Sequence, residues 1–163
     1  MKKIAIYPGS FDPVTYGHLD IIKRALRIFD KVIVAVAYNA DKNPLFNVSE
    51  RMEMLKKAVK NFKRVEVDSF DGLIVDYVRK KSAAVVIRGL RMISDFEYEF
   101  QMALTNRKLS SDIETMFMVP SDSFSYVSSK LIKEAASLGA GLKGFVPPYV
   151  EKAIKEKISK AKQ

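Results

Sequence analysis

The sequence predicts an α/β fold: a single domain on a doubly wound, five-stranded parallel sheet with helices on both faces. Short apolar, β-branched runs alternate with stretches of helical periodicity along the whole chain. The clearest of these runs are continuously hydrophobic rather than alternating, as strands covered on both faces are. The 163 residues suffice for one well-packed core and are short for two.

Ile4 to Tyr7 reads as the first strand. Leu19 to Phe29 reads as a helix, with Leu19, Ile22, Ala25, Leu26 and Phe29 on its inner face. Val32 to Tyr38 is the second strand, followed by a polar loop carrying Lys42. Ser49 is expected to cap a helix that turns Met52, Leu55, Ala58, Val59 and Phe62 inward. Arg64 to Val67 is a short third strand, and Leu73 to Lys81 a helix with Leu73, Ile74, Tyr77 and Val78 inward. Ala84 to Ile87 is the fourth strand, ending in Arg88-Gly89-Leu90-Arg91. A helix from Ser94 or Asp95 carries Phe96, Phe100, Ala103 and Leu104, and Ile113 to Val119 is the fifth strand. A serine-rich loop from Ser121 to Tyr126 enters a helix near Val127, which Gly139 and Gly141 end. Pro147-Pro148 opens a C-terminal helix at about 148–161. Right-handed crossovers leave few topologies, and the expected strand order is 3-2-1-4-5. Ligands in such sheets bind beyond the carboxyl ends of the strands, where the order reverses. That reversal brings together the loops Pro8–His18 and Arg88–Arg91.

Composition narrows the function. Hydrophobic residues make up 48% and charged residues 29%, as in a soluble globular chain. No apolar run approaches the roughly 20 residues that span a bilayer, so no membrane is expected. The apolar run after Met1-Lys2-Lys3 is too short for a signal-peptide core, and a cytoplasmic location is expected. Without cysteine there is neither a disulfide nor thiol chemistry. The net charge is +9, of which +3 comes from the five Lys and two Glu between Glu151 and Gln163. That excess suits either nucleic acid or phosphorylated small molecules. No RNA-recognition or zinc-finger pattern accompanies it, so nucleic acid is not the expected partner.

The opening loop, Tyr7-Pro-Gly-Ser-Phe-Asp-Pro-Val-Thr-Tyr-Gly-His18, runs from a strand into a helix. Such a turn aims backbone N–H groups and the positive end of a helix dipole at an anion. It has neither the G-x-G-x-x-G of dinucleotide binders nor the P-loop pattern. Gly17 admits a close approach, Ser10 supplies a hydroxyl and Thr15 is a plausible cap. By residue type alone several readings stay open. His18 suits a surface helix start, Arg88 and Arg91 suit solvated cations, and Ile74 suits the core.

The opening loop resembles the (H/T)-x-G-H signature region of the nucleotidyltransferase superfamily related to class I aminoacyl-tRNA synthetases. Arg88-Gly-Leu-Arg91, Asp95-Phe-Glu-Tyr-Glu99 and Ser125-Tyr-Val-Ser-Ser129 with Lys133-Glu134 are similar to the phosphopantetheine adenylyltransferase family. The resemblance covers about Ala5 to Val150 and implies a Rossmann-like nucleotidyltransferase domain over 1–163. It also implies a reaction: ATP and 4′-phosphopantetheine give dephospho-coenzyme A and pyrophosphate. Other members of the superfamily, cytidylyltransferases included, are the alternative enzymes. A basic nucleotide- or RNA-binding module is the alternative outside enzymes.

Carried over by resemblance, His18, Lys42, Arg91 and Ser10 are the catalytic residues. His18 acts as a donor to developing charge and not as a base. Ser10, Phe11, His18, Gly89, Leu90, Arg91, Glu99 and Phe124, Ser125, Tyr126, Val127, Ser128, Ser129 and Lys130 bind ATP. Ser10, Lys42, Ile74 and Arg88 hold phosphopantetheine. Mg2+ is expected through the ATP phosphates rather than in a protein-built cage, and a homohexamer is implied. Ser10 stands where the family often has Thr, and the hydroxyl is kept. Lys130 stands where the family commonly has Ser, so it either faces solvent or adds charge near the phosphates.

Overall fold

The computed structural model describes residues 2–38 and 43–161. In chain order its elements are β1 (Ile4–Gly9), α1 (Tyr16–Ala25), β2 (Lys31–Ala37), α2 (Val48–Ala58), β3 (Val65–Phe70) and α3 (Ile74–Lys80). They continue as β4 (Val85–Gly89), α4 (Ile93–Leu109), β5 (Glu114–Met118), α5 (Ser129–Ser137) and α6 (Pro148–Ala161), with a 3-10 turn at Asp122–Phe124. The sheet order is β3-β2-β1-β4-β5 with every neighbouring pair parallel, as the sequence predicts.

The central strands explain why their sequences are apolar throughout. Successive side chains leave a strand on opposite faces. Ala5 and Tyr7 of β1 and Val32, Val34 and Val36 of β2 join the larger core, with Ile22 of α1, Leu55 of α2, Ile132 of α5 and Ile154 of α6. Ile6, Ile33, Ala35 and Val86 face the other way, onto Val75 and Val78 of α3. Each fully buried Val, Ile or Leu contributes about 1.5–3 kcal/mol relative to an exposed one. The carboxyl ends of β1 and β4 therefore form a rigid lip at the reversal of strand order.

Several boundaries and faces differ from the sequence expectation. The cap of α2 is Asn47, not Ser49: Asn47 Oδ1 accepts the Glu50 N–H, and Glu50 Oε2 accepts the Asn47 N–H, both at 2.9 Å. This reciprocal pair satisfies two donors at once, so the helix starts where it forms. Leu73 precedes α3 and is 55% exposed rather than inward. In α4, for which the sequence names apolar residues but no inner face, Phe96, Phe100 and Leu104 are exposed while Glu99 and Asn106 are buried. Glu99 meets Arg88 of β4 through both carboxylate oxygens. Gly139, at φ +87°, follows α5 as its stop. Pro148 starts α6, with Val150 and Ile154 fully buried.

Candidate active site

The loop between β1 and α1 is shaped by packing before any ligand is considered. Phe11 takes a left-handed backbone (φ 48°), and its ring is buried between neighbours. It packs edge-on against Tyr7 at 5.3 Å and His18 at 4.9 Å between ring centres. A Cβ at position 9 would meet the Phe11 ring at 3.0 Å, so any larger residue there must push that buried ring back by a few tenths of an ångström. Thr15 then caps α1. Its Oγ1 accepts the His18 N–H at 3.3 Å, and its own N–H donates to His18 Nδ1 at 3.0 Å. Histidine here fills the capping-box position usually held by Glu or Gln.

That bond assigns the imidazole. With Nδ1 accepting from Thr15, the neutral ring carries its proton on Nε2, the nitrogen left to donate. The ring is half-buried in the cleft wall. Burial, and secondarily the Arg91 charge, push its pKa down to about 3. A neutral N–H donor at neutral pH follows, as a general rule for imidazoles held among cations and apolar walls. Burial also pushes the Tyr7 phenol upward, so Tyr7 stays a neutral wall.

His18 lies in a cleft of about 450 Å³ at the carboxyl edge of β1 and β4. Of the residues predicted for the site, Ser10, Phe11, His18, Arg88, Gly89, Arg91, Glu99, Phe124, Val127, Ser128, Ser129 and Lys130 line it. Gly17 also lines it, but a Cβ there would meet Thr15 Oγ1 at 3.4 Å and the Phe124 carbonyl at 3.6 Å, so its nearest neighbours belong to the chain itself. Lys130 is exposed at the rim. Lys42 lies outside the described residues.

Four predicted residues are not among those lining the cleft. The Leu90 N–H donates to the Met118 carbonyl at 2.9 Å, tying the ends of β4 and β5. Ser125 Oγ donates to the Asp122 carbonyl at 3.0 Å, and Tyr126 packs edge-on against Phe145 at 5.9 Å. Ile74 packs against the smaller core beside Val75 and Ile33, the place its periodicity allowed.

Electrostatics divides the cleft. Arg88 Nε and Nη2 donate to Glu99 Oε2 and Oε1 at 2.6 and 2.5 Å, and its Nη1 donates to the Pro8 carbonyl at 3.2 Å. Arg91 Nη1 donates to the Val127 carbonyl at 3.1 Å, and Asp95 lies 3.8 Å from its Nε. On the facing wall, Ser128 caps α5 and its first-turn residues line the cleft. Two helix N-termini, those of α1 and α5, thus converge with Arg88, Arg91 and Lys130 on one cavity. The combination suits a polyanion with several phosphates.

Sequence reasoning missed Asp12, Lys133 and Arg51. Asp12 and Lys133 line the cleft as an ion pair at 2.7 Å. Arg51 reaches from α2 to the Ser10 and Ala37 carbonyls at 2.7 and 3.2 Å. Their partners are distant in sequence and mostly backbone, so residue type carried no signal. Among the described residues, no group of three or more His, Cys, Asp or Glu could hold a metal ion. The cleft carboxylates, Asp12 and Glu99, are both engaged by cations.

The cytidylyltransferase-like family model matches residues 6–135. The chain is 57% identical over 159 residues to the phosphopantetheine adenylyltransferase of Geobacter metallireducens, covering 98% of each chain. It is 58% identical over 158 residues to that of Geotalea daltonii, covering 97% of this chain and 98% of the other. In three dimensions it is similar to the Plasmodium falciparum nicotinic acid mononucleotide adenylyltransferase complexed with NaAD. That likeness has a TM-score of 0.67 at 15% identity, covers 99% of this chain and 96% of the other, and speaks to the fold. With its strand order, its cleft and these kinships, the chain belongs to the phosphopantetheine adenylyltransferase family.

Proposed function

We propose that the chain transfers the adenylyl group of ATP to 4′-phosphopantetheine, giving dephospho-coenzyme A and pyrophosphate. The carrying observation is the convergence of two helix N-termini with His18, Arg88 and Arg91 on one cleft, in a chain of this family. A phosphate-monoester oxygen attacks the α-phosphorus, and the bond to the bridging oxygen of pyrophosphate breaks as that oxygen takes the electron pair. The nucleophile is largely dianionic at pH 7, since its second pKa is about 6. No base is required, which agrees with a histidine that carries its proton on Nε2. Catalysis then consists of alignment and of donors aimed at charge that grows in the transition state.

In this reading His18 Nε2–H, Ser10 and Arg91 face the ATP phosphates. Arg88, with Lys42, holds the phosphate of phosphopantetheine. Glu99 holds the Arg88 guanidinium flat at the cleft edge until that phosphate arrives. Magnesium is proposed to enter with ATP, held by phosphate oxygens and water, because the cleft carboxylates are already engaged. A homo-oligomer, a hexamer by resemblance, is also proposed, and the exposed Ile93, Phe96 and Phe100 of α4 support it. Light scattering at micromolar concentration tests the assembly.

Pyrophosphate release tests the reaction, measured with ATP or CTP and with or without 4′-phosphopantetheine. Release only with ATP and the phosphorylated acceptor together is expected. Release with CTP alone indicates the cytidylyltransferase reading, and release with neither nucleotide refutes both.

A further inference from the structure

Within the opening loop lies a buried carboxylate that the reaction above does not use. Asp12 is 1% exposed. Its Oδ1 accepts the Phe46 N–H at 2.9 Å, and its Oδ2 accepts the Leu45 N–H at 2.9 Å and Lys133 Nζ at 2.7 Å. The lysine stands on α5, 121 residues away in sequence. A carboxylate out of water is costly unless paired and hydrogen-bonded, so the ammonium is held where the carboxylate is. One residue further on, the Pro13 carbonyl accepts Ser129 Oγ at 2.8 Å, again from α5.

These bonds join two parts of the cleft lining: the first turn of α5, with Ser128, Ser129 and Lys130, and the opening loop and start of α1, with Ser10, Phe11 and His18. Both ties from α5 land on adjacent residues of the opening loop, two and three positions before the Thr15 cap that aims His18. Asp12 and Pro13 therefore tie the α5 N-terminus to the loop that ends in the α1 cap.

We propose that Lys133 is a positioning residue for adenylyl transfer, acting through Asp12 to hold the α5 N-terminus and His18 at the spacing at which both meet one triphosphate. The inference rests on the transferase reading above. A flexible triphosphate binds across a small change in that spacing, whereas an in-line transition state does not. The effect accordingly belongs in kcat more than in KM.

The test compares Lys133→Met, Lys133→Arg and the double variant Asp12→Asn with Lys133→Met. Dephospho-coenzyme A formation is followed well below each variant's Tm, which is measured separately. Lys133→Met is expected to lower kcat by about 10²-fold with the ATP KM within about threefold. Lys133→Arg, which keeps the charge pair, is expected to recover most of that loss. The double variant removes both charges, and its kcat is expected to stay low. The inference is overturned if Lys133→Met keeps kcat within about twofold of wild type, or if the double variant does where the single variant fails to fold. It is equally overturned if Arg is no better than Met, or if the ATP KM rises as far as kcat falls. Wild-type protein without turnover removes the transferase reading itself. An active wild type with an unaffected Lys133→Met removes this inference alone.

Discussion

His18 is the chain's one histidine, so its protonation can be read without assignment. The structure holds it neutral with a pKa near 3, against about 6.5 for an unfolded chain. Lowering the pH is the perturbation, and the sign follows from proton counts. Between pH 6.5 and 3 the unfolded chain binds a proton at this site and the folded chain does not. Stability from this group is therefore fully present above pH 6.5 and is lost as pH falls toward 3. From pH 7 to pH 5 the loss is about 2 kcal/mol, from about 1.36 kcal/mol for each pH unit below 6.5. His18→Gln provides the control, because Gln keeps a capping-box acceptor and does not titrate. Urea unfolding of both proteins at pH 7 and pH 5 is expected to show wild type losing about 2 kcal/mol more than the variant. Histidine 15N shifts between pH 5 and 8 are expected to stay those of an Nε2-protonated neutral ring. A titration midpoint between pH 6 and 7, with parallel stability losses in the two proteins, would refute the reasoning.

Three further outcomes follow from the same geometry. His18→Ala is expected to lower kcat by about 10²–10³-fold while ATP still binds by calorimetry; near-normal kcat would make His18 structural. Thr15→Val removes the cap oxygen of α1 and is expected to cost about 1 kcal/mol in urea unfolding; no change would mean the cap contributes nothing. Glu99→Gln leaves the partly buried Arg88 charge without its ion partner and is expected to cost about 2–4 kcal/mol. A loss below about 0.5 kcal/mol would contradict a coupled pair.

The sheet was legible because its central strands must be apolar on both faces. Ala5, Ile6 and Val32 to Val36 could be read as buried without knowing their neighbours. Once the order was set, the reversal between β1 and β4 brought His18 and Arg88 to one edge. Illegible were the interactions whose partners lie far along the chain. Only the fold brings Lys133 to Asp12. Arg51 of α2 is 2% exposed and bonds carbonyls of two separate strand ends, which its place in the sequence does not announce. The inner face of α4 was not legible either: Phe96, Phe100 and Leu104 are exposed, while Glu99 is buried against Arg88, a partner on another element. The cap of α2 had a legible signal in Asn47, with Glu50 three residues on at capping-box spacing.

The proposed reaction, with a neutral His18 donor and a dianionic acceptor, is a single, direct displacement at the α-phosphorus. Its stereochemistry can be measured with ATP made chiral by sulfur at the α-phosphate, following the configuration in the dephospho-coenzyme A product. Inversion is the expected result, with the acceptor phosphate entering opposite the departing pyrophosphate. Retention would contradict it, because two displacements would demand a covalent adenylyl–protein intermediate in this cleft.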